Sequence, residues 1–576
     1  MKQGYTDEKN IQILIALLKA HGIKKIIVSP GTTNITFVAG IMYDSWFELY
    51  SSVDERSAAY IACGLAVESG EPVCLSCTGA TASRNYLPGL TEAYYRKLPV
   101  LAITASQHTA KIGQNVAQVI DRSQMQNDVV NYSCTLPFVH SDEDRWDCEL
   151  KVNAAILALK RNGGGPAHIN MQQTYSKNFT VKTLPKVNKI SRYAYGDAYP
   201  SLPSGKIAIW VGNHNRMSER LTNAIDAFCE KNNALVFCDH TSGYYGKYKI
   251  NAAIREQQIQ NIKENPDLLV YIGNVSGAYY GQAKNVWRVN EDGEFRDLFK
   301  AVRNVFALKE EIFFEYYAER SNGNAGTTYY ENMKHSVGDI RNKIPELPFS
   351  NAWCAQNSIK KIPTNSIVHF GILNSLRSWN FFDLPEGVEG FSNTGGFGID
   401  GNLSSCVGSC LASSHKLHFC ILGDLAFFYD LNVLGNRHLP ANLRILLFNN
   451  GIGAEFKNFS HPGAAFKDDA DAFIAAGGHF GNKSKTLVKN LAENLNIEYL
   501  CATEKKEYLE NIDNFFNPNV KQRPVLFEVF TASQDESDAL EIILNLDIHI
   551  GGVSKKIAKK MLGDKGIQAV KKILKK

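Results

Sequence analysis

Long apolar runs are missing from this chain. Nothing approaches the roughly 20 apolar residues that a membrane-spanning helix needs. The stretch IQILIALLKA follows the polar TDEKN, leads into the strand-like KKIIVSPG and has no small-residue cleavage site. It is not read as a signal peptide, and the expected location is cytoplasmic. Cysteine is sparse: 12 in 576 residues give no disulfide framework. Cys74 and Cys77 form a CxxC, but inside an apolar strand, where they point to opposite faces. Cys406 and Cys410 share a helix face. Both pairs read as small buried apolar residues. An excess of one charge is lacking too. The formal net charge of +4 comes from the end of the chain, where residues 555–576 hold nine lysines and one aspartate, against 53 basic and 57 acidic residues before them. A body so balanced is no nucleic-acid binder. The lysine-rich tail interleaves Ile557, Met561, Ile567, Val570, Ile573 and Leu574 with lysines. That pattern suits weak contact with an anionic membrane surface or a partner, or a soluble helix packing its apolar side on the body. Low-complexity tracts are absent. The middle of the chain has no GxGxxG after its first strand, so nothing argues for a dinucleotide or flavin there.

What is present belongs to a multidomain α/β protein. The chain is too long for one core. Over residues 1–185, the apolar segments KKIIVSPG, FELYSSVDE, EPVCLSCTG, PVLAITA and GPAHINM alternate with helical stretches, the pattern of a doubly wound parallel sheet. A polar, proline-bearing link spans Ser191 to Lys206. A second unit, 206–345, begins with IAIWVGN, continues through NALVFCDH and PDLLVYIGN, and ends in a helical stretch near 328–345. A third, 346–540, carries SIVHFG, VEGFSN, LHFCILGD, LRILLFNN and PVLFEVF. Residues 541–576 form the basic tail. The first and third units share size and rhythm.

Two stretches carry chemistry. His418 to Gly423 is an apolar run ending at Asp424, Ala426 to Arg437 reads as a helix, and Leu443 to Phe448 is a second run ending at Asn449-Asn450. Such a strand–helix–strand unit puts Asp424 and Asn450 at the carboxyl ends of parallel strands, where open α/β sheets bind ligands. A carboxylate, an amide oxygen and a nearby backbone carbonyl suit a hard cation that shares phosphate oxygens, as magnesium does. A plain strand end and turn would look the same. The other stretch, Asp54-Glu55-Arg56 before SAAYIACGLAVESG, puts one carboxylate at the mouth of a buried strand–helix turn, where a helix dipole alone would also favour an acid.

With SPGTTN, DERSAAYIACGLA, CTGATASRNYLPGLTEAYYRKLPVLAITA, NTGGFGIDGN and GDLAFFYDLN, the chain resembles the thiamine-diphosphate-dependent enzymes of the three-domain kind. Within them it is most similar to the menaquinone-pathway synthases that add decarboxylated 2-oxoglutarate to isochorismate. The likeness spans most of residues 10–535, is weak in the middle unit and omits the tail. It implies three doubly wound parallel-sheet domains (pyrimidine-binding, middle, diphosphate-binding) and a basic C-terminal helical tail. It implies thiamine diphosphate and Mg2+ as cofactors. Glu55 would hydrogen-bond a ring nitrogen of the aminopyrimidine and favour the imino tautomer that deprotonates the thiazolium carbon. Ile399 would bend the cofactor. Gly423, Asp424, Leu425 and Asn450 would seat it, with Asp424, Asn450 and the Ile452 carbonyl on the metal. Gln118, in NVAQVIDRSQM, matches a glutamine near the reacting group, though a solvated helix glutamine reads equally well. Sites at a subunit interface imply a homodimer or homotetramer.

The chain departs from these synthases where they hold carboxylates. Their arginines correspond to Thr33, Gln107 and Thr394 here, and their NSLxxR to NSLR, with Ser375 and Arg377 out of register. Each lost charge-assisted contact removes about 1.5–3 kcal/mol of carboxylate binding. Thr32, Thr33, Asn34, Gln107 and Thr394 suit a hydroxyl-rich acceptor such as a sugar ketone. His108 and His461 are candidate proton carriers, each also readable as a surface or structural histidine. Glu455 replaces an apolar residue and, with Phe456, is a candidate substrate contact, though a simply solvated acid would read the same. The expected activity is decarboxylation of a small 2-oxoacid with transfer of the acyl anion equivalent to an acceptor. Alternatives are the menaquinone-pathway synthase itself, a simple decarboxylase, and a catalytically silent scaffold recruited to a membrane by the tail.

Overall fold

The computed structural model describes residues 4–259, 265–277, 283–321, 326–479 and 484–546. The lysine-rich run falls outside the described residues. Two compact units emerge, one made of Met1–Asp197 and Phe295–Val305, the other of the rest.

The described residues form three sheets. The first has β1 (Lys25–Val28), β2 (Glu48–Ser51), β3 (Val73–Cys77), β4 (Val100–Ser106), β5 (Tyr132–Thr135) and β6 (Ala167–Gln172), ordered β2-β1-β3-β4-β6-β5. The second has β7 (Ser191–Ala194), β8 (Ile207–Val211), β9 (Ala234–Cys238), β10 (Lys249–Asn251), β11 (Leu268–Ile272), β12 (Val286–Val289) and β13 (Val302–Ala307), ordered β10-β9-β8-β11-β12-β13-β7. The third has β14 (Ile367–Phe370), β15 (Glu389–Phe391), β16 (His418–Gly423), β17 (Leu443–Asn449), β18 (Glu498–Ala502) and β19 (Val525–Phe530), ordered β15-β14-β16-β17-β19-β18. All pairings in the first and third sheets are parallel, as are those joining β8 to β12.

Strand order reverses between β1 and β3 and again between β14 and β16, so each outer sheet has a ligand-type crevice at its carboxyl edge. In the middle sheet the matching crevice, between β8 and β11, is filled by protein. There Asn213 and Asn274 pair, with Asn274 N–H donating to the Asn213 carbonyl at 2.8 Å.

Several local expectations change. The segment after Asp424 is helical only over Asp424–Tyr429, followed by a 3-10 stretch Leu431–Gly435, rather than from Ala426 to Arg437. The break falls at Asp430, whose buried carboxylate accepts from Ser404 N–H and Oγ in the first turn of the helix Asn402–Ala412. Two helices thus share one cap, at the cost of continuing the first. The link after Ser191 opens with strand β7. Cys74 and Cys77 fall in different apolar clusters, on opposite sides of β3, and no cysteine among the described residues is bonded to another.

Candidate functional site

In the first unit, the carboxyl edge gathers Glu55, Thr32, Thr33, Gln107 and His108. Glu55 opens the helix Glu55–Ser69, and Asp54 caps it, accepting from Ser57 N–H at 3.0 Å. The turn is not buried as expected. β2 is an edge strand exposed at all four residues, and Glu55 is half-buried. That helix is amphipathic in the inverse sense. Its inner face is Ala58, Ala59, Ala62, Cys63 and Ala66, small enough that a Cβ on Gly89 would come within 2.4 Å of the Ala59 Cβ. Its outer face shows Tyr60, Ile61 and Val67, each about half exposed, beside Val53 at 82%.

Thr33 is buried and its hydroxyl is engaged. It lies 2.5 Å from the Thr78 Oγ1 and accepts from Gly79 N–H at 3.1 Å, tying the loop after β1 to the loop after β3 across the crevice. Thr32 is exposed. The Gln107 amide oxygen accepts from Lys111 Nζ at 2.7 Å. His108 is exposed, stacks on Phe138 at 5.4 Å, and its Nδ1 accepts from Ala110 N–H, which leaves Nε2 as the protonated nitrogen of the neutral ring. Gln118 lies on no helix. It sits exposed in a turn at φ +62, the left-handed region that side chains other than glycine seldom adopt.

In the second unit, the metal-type cluster assembles at the ends of β16 and β17. Asp424 is 3% exposed. Its Oδ1 accepts from Leu425 N–H at 2.9 Å and its Oδ2 from Gly451 N–H at 2.8 Å, which brings it beside Asn450 and Ile452. Asn450 Oδ1 accepts from Ile452 N–H at 3.2 Å, and the Ile452 carbonyl accepts from Ala454 N–H at 2.9 Å, leaving a lone pair on each oxygen. Asn449 instead donates to Glu528 at 2.7 Å inside the core. Burial pushes the Asp424 carboxyl up to about 7 despite its two amide donors. A carboxylate so short of positive charge would be favoured by a cation, and three oxygen donors of three kinds are of the chemistry that fits Mg2+. Among the described residues no cluster of three or more His, Cys, Asp or Glu could hold a metal. This set, with one carboxylate, is of a different kind. A cavity of about 800 Å3 opens alongside, lined by Asn450, Gly451, Lys485, Lys505 and Thr531 among others.

Gly423 and Leu425 flank Asp424 on the strand end and the helix start. Ile399, half-buried, packs on the apolar cluster of Leu403, Leu422 and Phe427, and its carbonyl accepts from Asn402 Nδ2 at 2.7 Å. Thr394 is buried in the loop after β15. Ser375 and Arg377 sit on the helix Asn374–Asn380 that follows β14. Ser375 Oγ accepts from Asn351 Nδ2 at 3.1 Å. Arg377 is closed: Nη1 and Nη2 donate to the two Glu455 oxygens at 2.9 and 2.7 Å, and Asn458 Nδ2 adds a third contact to Glu455 at 3.0 Å. Phe456 meets His461 edge-on at 5.4 Å, and His461 Nδ1 accepts from Gly463 N–H.

The residues that hold the Arg377 helix escaped sequence reading. Buried Glu536 accepts from Asn351 N–H and Asn374 Nδ2, and Asn351 Oδ1 accepts from Trp379 Nε1. These partners lie up to 185 positions apart, and nothing local marks them.

Comparison with known proteins finds relatives that span nearly the whole chain. The thiamine pyrophosphate enzyme N-terminal TPP binding domain matches residues 9–125. The 2-succinyl-5-enolpyruvyl-6-hydroxy-3-cyclohexene-1-carboxylate synthase of Bacteroides fragilis is 32% identical over 560 residues, 93% of this chain and 98% of its own. That of Phocaeicola vulgatus is 32% identical over 570 residues, with the same coverage. That of Flavobacterium johnsoniae is 26% identical over 548 residues, 90% of this chain and 95% of its own. Among solved structures, the thiamine diphosphate-dependent 4-hydroxybenzoylformate decarboxylase of Rhodococcus jostii is a loose likeness, with 16% identity, 91% and 99% coverage, and a TM-score of 0.38.

Proposed function

The chain belongs to the thiamine-diphosphate-dependent enzymes, in the family of the 2-succinyl-5-enolpyruvyl-6-hydroxy-3-cyclohexene-1-carboxylate synthases, and we propose that it decarboxylates a 2-oxoacid and passes the acyl unit to an acceptor without a carboxylate at the Arg377 position. Bound thiamine diphosphate supplies the carbon nucleophile for the 2-oxo carbonyl and the electron sink while CO2 leaves. In this reading Asp424, Asn450 and the Ile452 carbonyl hold Mg2+ against the diphosphate. Glu55 holds a proton at the pyrimidine ring nitrogen, and Ile399 shapes the cofactor.

The observation that carries the acceptor reading is the Arg377–Glu455 pair. A guanidinium whose fork is filled by an internal carboxylate is not free to grip a substrate carboxylate bidentately. Thr394, buried in the loop after β15, adds no charge at that sheet edge, which suits a hydroxyl-rich ketone such as a sugar. The inverse amphipathicity of the helix after Asp54 supports a homo-oligomer, since a face bearing Val53, Tyr60, Ile61 and Val67 calls for a covering surface, and a second copy is the one this family's interface site requires.

A second reading, the menaquinone-pathway synthase itself, is favoured by 32% identity over 93% of the chain. Mass analysis of products separates the two. Protein with thiamine diphosphate and Mg2+ is given 2-oxoglutarate with isochorismate, or with a panel of hydroxyl-rich ketones. Adducts with a ketone and none with isochorismate are expected. The isochorismate adduct at comparable rate would overturn the acceptor reading.

A further inference from the structure

The first unit buries a cation whose counter-ion is missing. Arg122 is 2% exposed. Its Nη2 donates to the Ala105 carbonyl at 2.8 Å, while Nε and Nη1 meet no acceptor among the described residues. The adjacent acid, Asp121, turns its carboxylate to Ser123 N–H and Oγ instead. Burying an unpaired guanidinium is costly, so a fold that keeps one has a use for it.

The guanidinium lies at the carboxyl edge of the first sheet, where open α/β sheets bind ligands. Ala105 is near the carboxyl end of β4, and Gly79 follows β3. A Cβ on Gly79 would lie 3.0 Å from the Gln118 carbonyl, 3.2 Å from that of Ala105 and 3.7 Å from Arg122 Nη2, so the glycine lets the Gln118 turn and the guanidinium close in on the end of β3. Gln118 above it is held at φ +62, backbone strain of the kind that persists at binding sites. The Cys77 thiol, at the end of β3, is pushed up to about 12 by burial and lies within electrostatic range of both Arg122 and Glu55. Arg122 therefore shares the crevice edge of the first sheet with the carboxylate assigned to the cofactor.

We propose that Arg122 selects the donor, with Nε and Nη1 holding the second, non-reacting acid group of a 2-oxoacid. The proposal rests on the decarboxylase reading. The reacting carboxylate is the wrong occupant, because a cation on it stabilises the ground state against loss of CO2, whereas a distal anion is bound equally before and during reaction. Arg377 cannot take this role while Glu455 fills it, which leaves Arg122 as the buried guanidinium with free donors on a crevice edge.

Thermal denaturation of the full chain with thiamine diphosphate and Mg2+ tests binding without turnover. Glutarate is expected to raise the midpoint of the wild type more than butyrate does, and Arg122→Gln to abolish that difference. Equal shifts by glutarate in the wild type and Arg122→Gln, or no glutarate shift in the wild type, would overturn the assignment. In kinetics, Arg122→Gln is expected to raise KM for 2-oxoglutarate by about tenfold or more, the size of one charge-assisted contact, and to raise it far less for 2-oxobutyrate. Loss of the same size with both donors would mean a structural role. Arg122→Lys, which keeps the charge, is expected to retain part of the preference and carries the comparison should the glutamine variant not fold. If the wild type releases CO2 from no 2-oxoacid, the decarboxylase reading fails while the glutarate shift still judges Arg122.

Discussion

Replacing Glu455 by leucine leaves the Arg377 guanidinium without its counter-ion, and the consequence can be worked from the geometry. Two unit charges about 4 Å apart attract by about 4 kcal/mol at an effective dielectric near 20. The pair has two parallel bonds, and its side chains are 19% and 18% exposed, so desolvation and ordering return part of that attraction. A net coupling of about 2 kcal/mol remains, above a surface pair and below a fully buried one. Glu455→Leu and Arg377→Leu should each lower the thermal midpoint by about 4 °C, at roughly 2 °C per kcal/mol for a large unit. The double variant should fall short of the sum of the two by a similar amount. Strict additivity would refute the claim that the pair acts as one closed element. The same substitution tests specificity. With the fork freed, Glu455→Leu should bind a carboxylate-bearing acceptor such as isochorismate about tenfold more tightly than the wild type, one charge-assisted contact being worth that much. An unchanged dissociation constant for isochorismate, read by equilibrium binding, would show that Arg377 does not face the acceptor.

Glu55→Gln should lower turnover by about 10²–10⁴, the usual worth of a positioned acid–base group, while equilibrium dialysis shows thiamine diphosphate still bound; full activity would remove Glu55 from the mechanism. Asp424 gives a pH signature. Its folded-state pKa of about 7 lies above the ordinary carboxyl value of 3.8 because the group is buried, so the stability it contributes is complete below the lower value and is lost as pH rises through about 7. Metal-free protein should therefore lose stability between about pH 4 and pH 7, Asp424→Asn should flatten that slope, and Mg2+ should restore the wild type at the upper end but not the variant. A slope unchanged by Asp424→Asn would rule out this source. Ile61→Asp, on the exposed face of the helix after Asp54, should shift sedimentation toward monomer and cut activity in proportion; an undisturbed oligomer would move the interface elsewhere.

The sequence was most legible where burial is two-sided. β16, β17 and β19 run through the middle of their sheet, so His418–Gly423, Leu443–Asn449 and Val525–Phe530 are near-continuous apolar runs that can be found by eye. Of the strands at the margins of these two sheets, β2 and β15 were legible and β5 and β18 were not. β5 and β18 are covered on one side only and read as mixed polarity, with Tyr132, Ser133, Glu498 and Tyr499 all half-buried. Asp424, Asn450 and Ile452 were legible as a group because two strand ends and a short crossover must bring them together. Arg377 was legible as a charge but not as a closed pair, because its partner lies 78 positions away. Arg122 was invisible, since an arginine between Asp121 and Ser123 in a polar stretch looks solvated. Only the fold shows its fork buried under the β3 and β4 loops. The Gln118 segment was misread as a helix for the same reason, its strained turn being imposed by tertiary contacts rather than by local propensity.

The central claim is that this chain breaks the C1–C2 bond of a 2-oxoacid on thiamine diphosphate. The most direct measurement is release of labelled CO2 from a panel of 1-13C 2-oxoacids by protein loaded with thiamine diphosphate and Mg2+, with Glu55→Gln alongside. Labelled CO2 is expected from at least one acid, dependent on both cofactors and on Glu55, and faster when a hydroxyl-rich ketone is present. No label released from any acid, with or without acceptor and with the cofactor shown to be bound, would contradict the claim.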